Sequence, residues 1–196
     1  MDGGMSRRTF IAGDVPGRVC QQLADLTRRL AADWPAGQVR WTSAQSMHIT
    51  LRFLGDTREE QIPLVVEALK IRCAEATPMA LTLSRVGAFP NVRQPRVIWV
   101  GIDGETTDLR NLQRHLEQDA RGLGWEVEER AFRPHLTIGR RNRFLDPRRD
   151  VLPQTTGWSE IEMTPIPFVL DVVTLMESRL TPKGAVYRAL HQERLS

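Results

Sequence analysis

Apolar and polar residues alternate along two short stretches of the chain, MHITLRFLG and FRPHLTIGR. Alternation over four to eight residues is typical of a strand that buries one face. Residues two apart in a strand lie on the same face. In the first stretch we therefore predict that His48 and Thr50 share a face, and that Ile49 and Leu51 are buried on the opposite one.

The second stretch repeats the arrangement with different residues. His135 and Thr137 are expected on one face of a strand, and Leu136 and Ile138 on the buried face. Each stretch thus offers an imidazole and a hydroxyl on one side while its aliphatic side chains enter the core.

The rest of the hydrophobic pattern predicts three long helices and further strands. Apolar residues recur three and four apart over about 16–33, 57–76 and 106–123, which is typical of amphipathic helices. Gly55 and Asp56 are expected to turn the chain, with Asp56 or Thr57 capping the second helix. A polar loop is predicted over 142–158, and a turn over 182–184. Strands are predicted at 8–12, 39–41, 47–54, 79–86, 97–102, 132–139, 168–177 and 186–192.

The order of elements is similar in the two halves of the chain. Each half has a helix, then a motif strand, then further strands, and no change of composition separates them. We predict an α+β fold of two similar lobes, each a mostly antiparallel sheet with outer helices, facing a central cleft. The predicted unit is one domain over residues 1–196.

Composition and charge narrow the class of protein only slightly. The chain has 196 residues, 41% of them hydrophobic and 26% charged, as is ordinary for a soluble globular domain. A net charge of +3 with a sequence pI near 9.4 permits an anionic ligand. No apolar run reaches the length of a membrane span, and the first ten residues lack the apolar core of a signal peptide. We therefore expect a cytoplasmic protein that has no membrane partner.

The candidate chemistry centres on two of the four histidines, His48 and His135. One His-x-Thr on a strand is weak evidence, and a lone strand histidine is more often structural. Two copies, 135 − 48 = 87 residues apart, are harder to dismiss. An imidazole titrates near pH 6.5, so one can act as base and the other as acid. Threonine hydroxyls can donate hydrogen bonds to phosphate oxygens. This set suits cleavage of a phosphodiester, and we expect neither a metal nor another cofactor.

The paired motifs HITL and HLTI resemble those of the two-histidine (2H) phosphoesterase superfamily. The segments TFIAGDVP, PRVIWVG and ESRLTPKGAVYRAL, in the same order, are similar to those of the RNA 2′,3′-cyclic phosphodiesterases, which were first described as 2′-5′ RNA ligases. The resemblance implies hydrolysis of a 2′,3′-cyclic phosphate at an RNA end to a 2′-phosphomonoester. By motif order it implies that His48 is the proton donor and His135 the base. Thr50 and Thr137 would then hold the phosphate oxygens.

Other residues are weaker candidates for the site. Arg140 ends the second motif strand and is a candidate for neutralising phosphate, with a plain surface arginine as the alternative. Tyr187 matches the closing Gly-x-x-Tyr segment of the family and is a candidate for a position near the site, with a structural role as an equal alternative. Candidates for stacking on a base, with core packing favoured, are Phe10, Trp41, Phe53 and Phe89. Candidates for following an RNA backbone, with a solvated loop face favoured, are Arg141, Arg143, Arg148 and Arg149.

Three functions stay open at this point. The first is a hydrolase acting on RNA with a 2′,3′-cyclic phosphate end, or on a cyclic nucleotide. The second is an RNA ligase that runs the reverse chemistry with a 5′-hydroxyl acceptor. The third is a binding module for RNA ends or nucleotides without turnover, against which the intact motifs argue. A monomer is expected.

Overall fold

The computed structural model describes residues 6–142, 162–181 and 184–196. Three α-helices lie within these residues: α1 (Gly17–Ala32), α2 (Ile62–Ala74) and α3 (Thr106–Gly122). Two short 3-10 helices cover Ala44–Ser46 and Glu59–Gln61. The strands are β1 (Ser6–Gly13), β2 (Val39–Trp41), β3 (Ile49–Arg58), β4 (Met79–Phe89), β5 (Val97–Gly104), β6 (His135–Arg141), β7 (Ile166–Leu170), β8 (Val172–Thr181) and β9 (Gly184–Arg194).

The strands form one antiparallel sheet that is made of two lobes. Its order is β7-β4-β5-β6-β3-β1-β8-β9, and β2 pairs with β6 beside this path. One lobe holds β4, β5, β6 and β7, and the other holds β1, β3, β8 and β9. The two motif strands, β3 and β6, are the innermost strand of each lobe and meet at a single bridge, Ile49 opposite Leu136. The predicted α+β fold of two antiparallel lobes is confirmed, and the lobes share one continuous sheet.

The core lies behind the motif strands, as their alternation predicts. Ile49, Leu136 and Ile138 have no exposed surface, and Leu51 is 3% exposed. Burial of such side chains contributes about 1.5–3 kcal/mol each. The helices α1 and α3 add their leucine stripes to the same core. The polar residues of the motifs are thereby left on the opposite face.

The strand predicted over 168–177 is wrong in its connectivity. The chain forms two strands there, separated by Asp171, and they lie in different lobes: β7 pairs with β4, whereas β8 pairs with β1 and β9. Apolar residues on both sides of Asp171 continue one pattern, so the sequence carries no sign that the hydrogen-bonding partner changes. Only the tertiary arrangement decides which ladder each half joins.

The turn predicted at Gly55 and Asp56 is also wrong. β3 continues to Arg58, and α2 begins at Ile62 instead of being capped by Asp56 or Thr57. Gly55 has φ +70° and lies beside an irregularity in the β1–β3 ladder, where an extra residue is accommodated. Thr57 then forms a buried hydrogen bond, 2.7 Å, with the Thr9 hydroxyl. Pairing with β1 thus overrides the local turn signal.

Two features predicted for loops fall largely beyond the part of the chain that the structure describes. The polar loop 142–158 lies outside it except for Asn142, and the turn over 182–184 is described only at Gly184. Within the described residues, no helix is long and apolar enough to cross a membrane.

Candidate active site

The β3–β6 junction brings the two motifs side by side. Ile49 lies opposite Leu136 in an antiparallel register. His48 directly precedes Ile49 and His135 directly precedes Leu136, so both histidines lie next to the bridge, and Thr50 and Thr137 follow the bridged residues. The charge of His135 acts on His48, so the two imidazoles lie near each other.

His48 is held by two hydrogen bonds. Its Nδ1 lies 2.8 Å from the backbone oxygen of Ser46, and its Nε2 lies 3.1 Å from Oγ1 of Thr50. A carbonyl oxygen only accepts, so Nδ1 carries the proton and donates it to Ser46. In the neutral imidazole Nε2 is then an acceptor, and the Thr50 hydroxyl donates to it. The backbone thus fixes which nitrogen is presented to a ligand.

His135 is held in the same way. Its Nδ1 donates to the backbone oxygen of Arg133 over 2.7 Å. In both motifs the accepting carbonyl belongs to the residue two positions before the histidine. Since Nδ1 is occupied by the backbone, Nε2 of His135 is also the nitrogen that is left to exchange a proton with a bound molecule.

Burial lowers the pKa of both histidines. Burial, as the largest effect, and the charges of Arg140 and His135 together lower the pKa of His48 to about 4, against the opposing effect of its bond to Ser46. The pKa of His135 is lowered first by burial and then by the charge of Arg140. Both imidazoles are therefore mainly neutral at pH 7 in the free protein, and Arg140 lies close enough to both to act on each.

An aromatic pair flanks each imidazole. Ring centroids of Phe10 and Tyr187 lie 4.8 and 5.1 Å from that of His48. In the other lobe, Phe89 lies 5.0 Å from His135, with its ring edge-on to the imidazole, and Trp99 lies 6.4 Å away. These rings exclude water from one side of each imidazole, which accounts for the desolvation that lowers both pKa values.

Trp99 takes its position because two residues close to it, Gly87 on β4 and Gly101 on its own strand, have no side chain. It is paired with Gly87 on β4 and Thr137 on β6. A Cβ at Gly87 would overlap the indole ring, and one at Gly101 would lie within 3.3 Å of it. The indole therefore lies across the β4 backbone beside His135. The apolar run VIWVGI predicts a central strand but does not indicate this role, so Trp99 was missed as a site residue.

Arg140 is exposed at the end of β6, and Arg40 on β2 is its cross-strand partner. Arg141 follows it on the same strand and is partly buried. The remaining arginine candidates, Arg143, Arg148 and Arg149, lie outside the described residues.

The aromatic candidates separate into different environments. Phe10 is buried at 2% exposure and Phe89 is partly buried, and both pack on a motif histidine. Trp41 is partly buried against the core and makes an edge contact with Trp34. Phe53 is 50% exposed, with its ring 5.9 Å from that of Phe10. Tyr187, for which the closing segment left a position near the site and a structural role equally open, packs beside His48.

A cavity of about 360 Å³ opens beside His48. Its lining includes Asp14, Gln21, Gln45, Met47 and Met176. Asp14 accepts hydrogen bonds from the Thr174 hydroxyl at 2.8 Å and from the Gln192 amide at 3.0 Å. These residues come from separate stretches of the chain, so no local signal in the sequence marks the cavity.

Comparison with known proteins identifies the family of the chain. The family model described as LigT like Phosphoesterase matches residues 14–99 and again residues 100–187, one match for each half of the chain. The chain is 31% identical over 185 residues to an RNA 2′,3′-cyclic phosphodiesterase of Thermotoga maritima, covering 94% of each chain. It is 32% identical over 187 residues to one of Archaeoglobus fulgidus, covering 93% of this chain and 97% of the relative.

Solved structures have the same fold. A Thermus thermophilus protein superposes with a TM-score of 0.74 at 26% identity, over 96% of this chain and 97% of that one. E. coli LigT, crystallised with 3′-AMP, superposes with a TM-score of 0.71 at 24% identity, over 98% and 99% of the two chains. From the matches to both halves and the relatives of similar length, the chain belongs to the LigT-like phosphoesterase family, within the two-histidine superfamily that its paired motifs indicate.

Proposed function

We propose that this protein hydrolyses 2′,3′-cyclic phosphate ends of RNA to 2′-phosphomonoesters. The observation that carries the proposal is the pair of imidazoles, each bound through Nδ1 to the backbone and near enough to the other for the charge of His135 to act on His48. An acid and a base of the same type on either side of one phosphorus atom suit an in-line displacement. The relatives from Thermotoga maritima and Archaeoglobus fulgidus, both named RNA 2′,3′-cyclic phosphodiesterases, support the choice of substrate.

In the proposed reaction, Nε2 of His135 takes a proton from water while the water oxygen forms a bond to phosphorus. The bond from phosphorus to the 3′ oxygen breaks, and Nε2 of His48 gives that oxygen a proton. The product carries a 2′-phosphate and a 3′-hydroxyl, and the two histidines have exchanged protonation states. Thr50 and Thr137 donate hydrogen bonds to the non-bridging oxygens, and Arg140 offsets the charge that develops on them.

The low pKa of His48 fits this scheme because the substrate is an anion. With a pKa of about 4, His48 is mainly neutral in the free protein at pH 7. A bound phosphate favours the protonated imidazole and opposes the effect of the Arg140 charge. We therefore propose that His48 becomes a competent acid only when the cyclic phosphate is in place.

Product analysis on a short RNA with a 2′,3′-cyclic phosphate end tests the function. The expected product is the 2′-phosphomonoester, and it should not form with a His48→Ala/His135→Ala variant. A 3′-phosphate product, or no turnover by the wild-type protein, would contradict the proposal. A parallel reaction with a 5′-hydroxyl acceptor strand reports ligation, which the same acid–base pair can perform in reverse. The cytoplasmic location and the monomeric state stay predictions.

A further inference from the structure

We propose that Arg40 binds the phosphodiester group that joins the terminal nucleotide of the RNA to the preceding one. The proposal rests on the proposed function, in which Arg140 offsets the charge on the reacting phosphate. It assigns a binding role to an arginine that belongs to neither motif. Arg40 would then be the residue by which the protein distinguishes an RNA end from a cyclic mononucleotide.

Arg40 lies on the same face of the sheet as Arg140. The two residues are opposite each other in the β2–β6 ladder, and opposed residues of an antiparallel pair share a face. The residues that flank Arg40, Val39 and Trp41, point to the other face and pack on the core. The charge of Arg140 acts on both motif histidines. Arg40 therefore extends from the face of the sheet that carries the site.

The side chain of Arg40 reaches the other lobe. A Cβ built on Gly184, the first residue of β9, would lie 3.3 Å from Nη1 and 3.7 Å from Cδ of Arg40. β2 is joined to β6, whereas β9 belongs to the lobe of β1, β3 and β8. Further along β9, Tyr187 packs on His48. The guanidinium of Arg40 therefore lies where the two lobes approach each other on the side of the site.

The charge of Arg40 has no counter-charge in its surroundings. Its guanidinium is exposed, and it makes no ion pair or hydrogen bond among the residues that the structure describes. The residue directly opposite is instead a second arginine, and like charges in that position are destabilising. A guanidinium can donate two parallel hydrogen bonds to phosphate oxygens, and a bound phosphate would offset the repulsion. The arrangement thus favours an anionic ligand at Arg40.

Two neighbouring phosphates of one strand account for the two arginines. The charge of Arg140 lowers the pKa of both histidines, whereas the charge of Arg40 is not among the causes of either shift. Arg40 is therefore the more distant of the two from the reacting phosphate. As opposed residues, the arginines have Cα atoms roughly 4.5–5.5 Å apart, which allows each guanidinium to hold one of two successive phosphates. A cyclic mononucleotide has only the reacting phosphate and leaves Arg40 without a ligand.

Two substrates that differ by one nucleotide test the proposal. Steady-state kinetics would be measured with 2′,3′-cyclic AMP and with the dinucleotide ApA that ends in a 2′,3′-cyclic phosphate. Arg40→Gln removes the charge and keeps a polar side chain. Arg121→Gln is the matched control, because Arg121 is an exposed arginine near the end of α3, a helix that packs against the core behind the motif strands.

Arg40→Gln should raise KM for the dinucleotide by about tenfold, the lower end of what a hydrogen bond to a charged group contributes. KM for 2′,3′-cyclic AMP should stay close to the wild-type value, and Arg121→Gln should change neither KM. Salt provides a second measurement, because phosphate binding releases counterions. The slope of log KM for the dinucleotide against log salt should fall by about 0.7 in Arg40→Gln, as expected for one phosphate contact in a single strand.

The proposal is overturned if Arg40→Gln impairs both substrates equally, since Arg40 would then contact the reacting phosphate or hold the lobes together. It is also overturned if Arg40→Gln impairs neither substrate. Failure of the proposed function gives a different result, because the wild-type protein would turn over neither substrate.

Calorimetric titration would decide the role of Arg40 in a protein without turnover. ApA with a terminal 2′-phosphate should bind the wild-type protein more tightly than adenosine 2′-monophosphate does. Arg40→Gln should reduce that preference by about tenfold. An equal preference in the wild-type protein and the variant would overturn the proposal.

Discussion

Each motif histidine is oriented by a backbone carbonyl and desolvated by two aromatic rings. The hydrogen bonds to Ser46 and Arg133 engage Nδ1 in both motifs, so Nε2 is the nitrogen that the proposed mechanism uses. The rings lower the pKa because they exclude the water that would stabilise the imidazolium. The two residues are similar in geometry, so the different roles proposed for them would follow from where the substrate places its water and its leaving oxygen.

The division of labour predicts a large loss of turnover when either histidine is removed. His48→Ala and His135→Ala should each reduce turnover by roughly 10²–10⁴-fold or more, because each removes one acid–base group. The double variant should lose less than the product of the single losses, since the two groups act as a unit. Thr50→Ala or Thr137→Ala should reduce turnover less, by the amount expected from the loss of one or two hydrogen bonds.

A substrate with a more acidic 3′ leaving group needs less protonation. It should therefore partly rescue His48→Ala and leave His135→Ala impaired in single-turnover assays. Rescue of His135→Ala instead would reverse the two roles. Near-wild-type turnover in both single variants would remove the histidines from the mechanism.

The lowered pKa values predict how the rate depends on pH. One histidine must be neutral and the other protonated, so the profile should be bell-shaped, with limbs that belong to the pair. For kcat/KM, which reports the free protein, the optimum should lie below pH 6.5, because both pKa values are lowered from that ordinary value. For kcat the profile should move to higher pH, since the bound phosphate anion favours the imidazolium. Coincident profiles with an optimum above about pH 7.5 would contradict this account.

At the scale of the elements, three neighbouring strands cooperate to hold the imidazole of His135. β6 carries His135, β5 carries Trp99 and β4 carries both Phe89 and Gly87. The indole occupies the space that a side chain at position 87 would take. The absence of a side chain at Gly87 on β4 thus determines where the Trp99 ring of β5 lies. The position of that ring in turn determines part of the surroundings of His135.

Gly87→Ala should disturb this aromatic wall. The added methyl overlaps the indole and should destabilise the protein by about 1–3 kcal/mol, the usual cost of overpacking. Turnover should fall as well, because the methyl group would displace Trp99 from its position beside His135. Gly122→Ala is the matched control, since a Cβ there meets no atom of the described residues within 4 Å. Urea unfolding and turnover of both variants provide the test, and equal behaviour of the two would contradict the packing argument.

For the molecule as a whole, the partly buried histidines connect the site with stability. Folding lowers the pKa of these imidazoles. Below pH 6.5 the unfolded chain therefore binds more protons than the folded protein does. Stability should therefore fall as the pH drops from 6.5 toward the folded-state pKa of His48, about 4. His135 acts in the same direction, since its pKa is also lowered.

His48→Gln should remove part of this acid sensitivity. Between pH 7 and 4.5, the unfolding free energy of the wild-type protein should decrease by about 2 kcal/mol more than that of the variant. The difference should vanish above pH 6.5 apart from a constant offset due to lost packing. Urea titrations at several pH values measure both quantities, and parallel pH curves for the two proteins would rule out the linkage.

The sequence by itself determined the parts that depend on local periodicity and residue type. Alternation around His48 and His135 predicted which side chains are buried, because a strand has only two faces. The leucine spacing predicted α1 and α3 to within a residue or two of their ends. The doubled motif indicated the family. The catalytic roles of His48, Thr50, His135, Thr137 and Arg140 stay predictions.

Only the tertiary structure decided which distant segments meet. Strand pairing joins residues far apart in the chain, so it split 168–177 between two lobes and carried β3 past the turn signal at Gly55. It also placed Trp99 beside His135 and assembled the cavity from Asp14, Met47 and Met176. Periodicity indicates which face of a strand a residue lies on but not which strand it pairs with. The side chains around both histidines come from other strands, so the sequence pattern alone did not predict them.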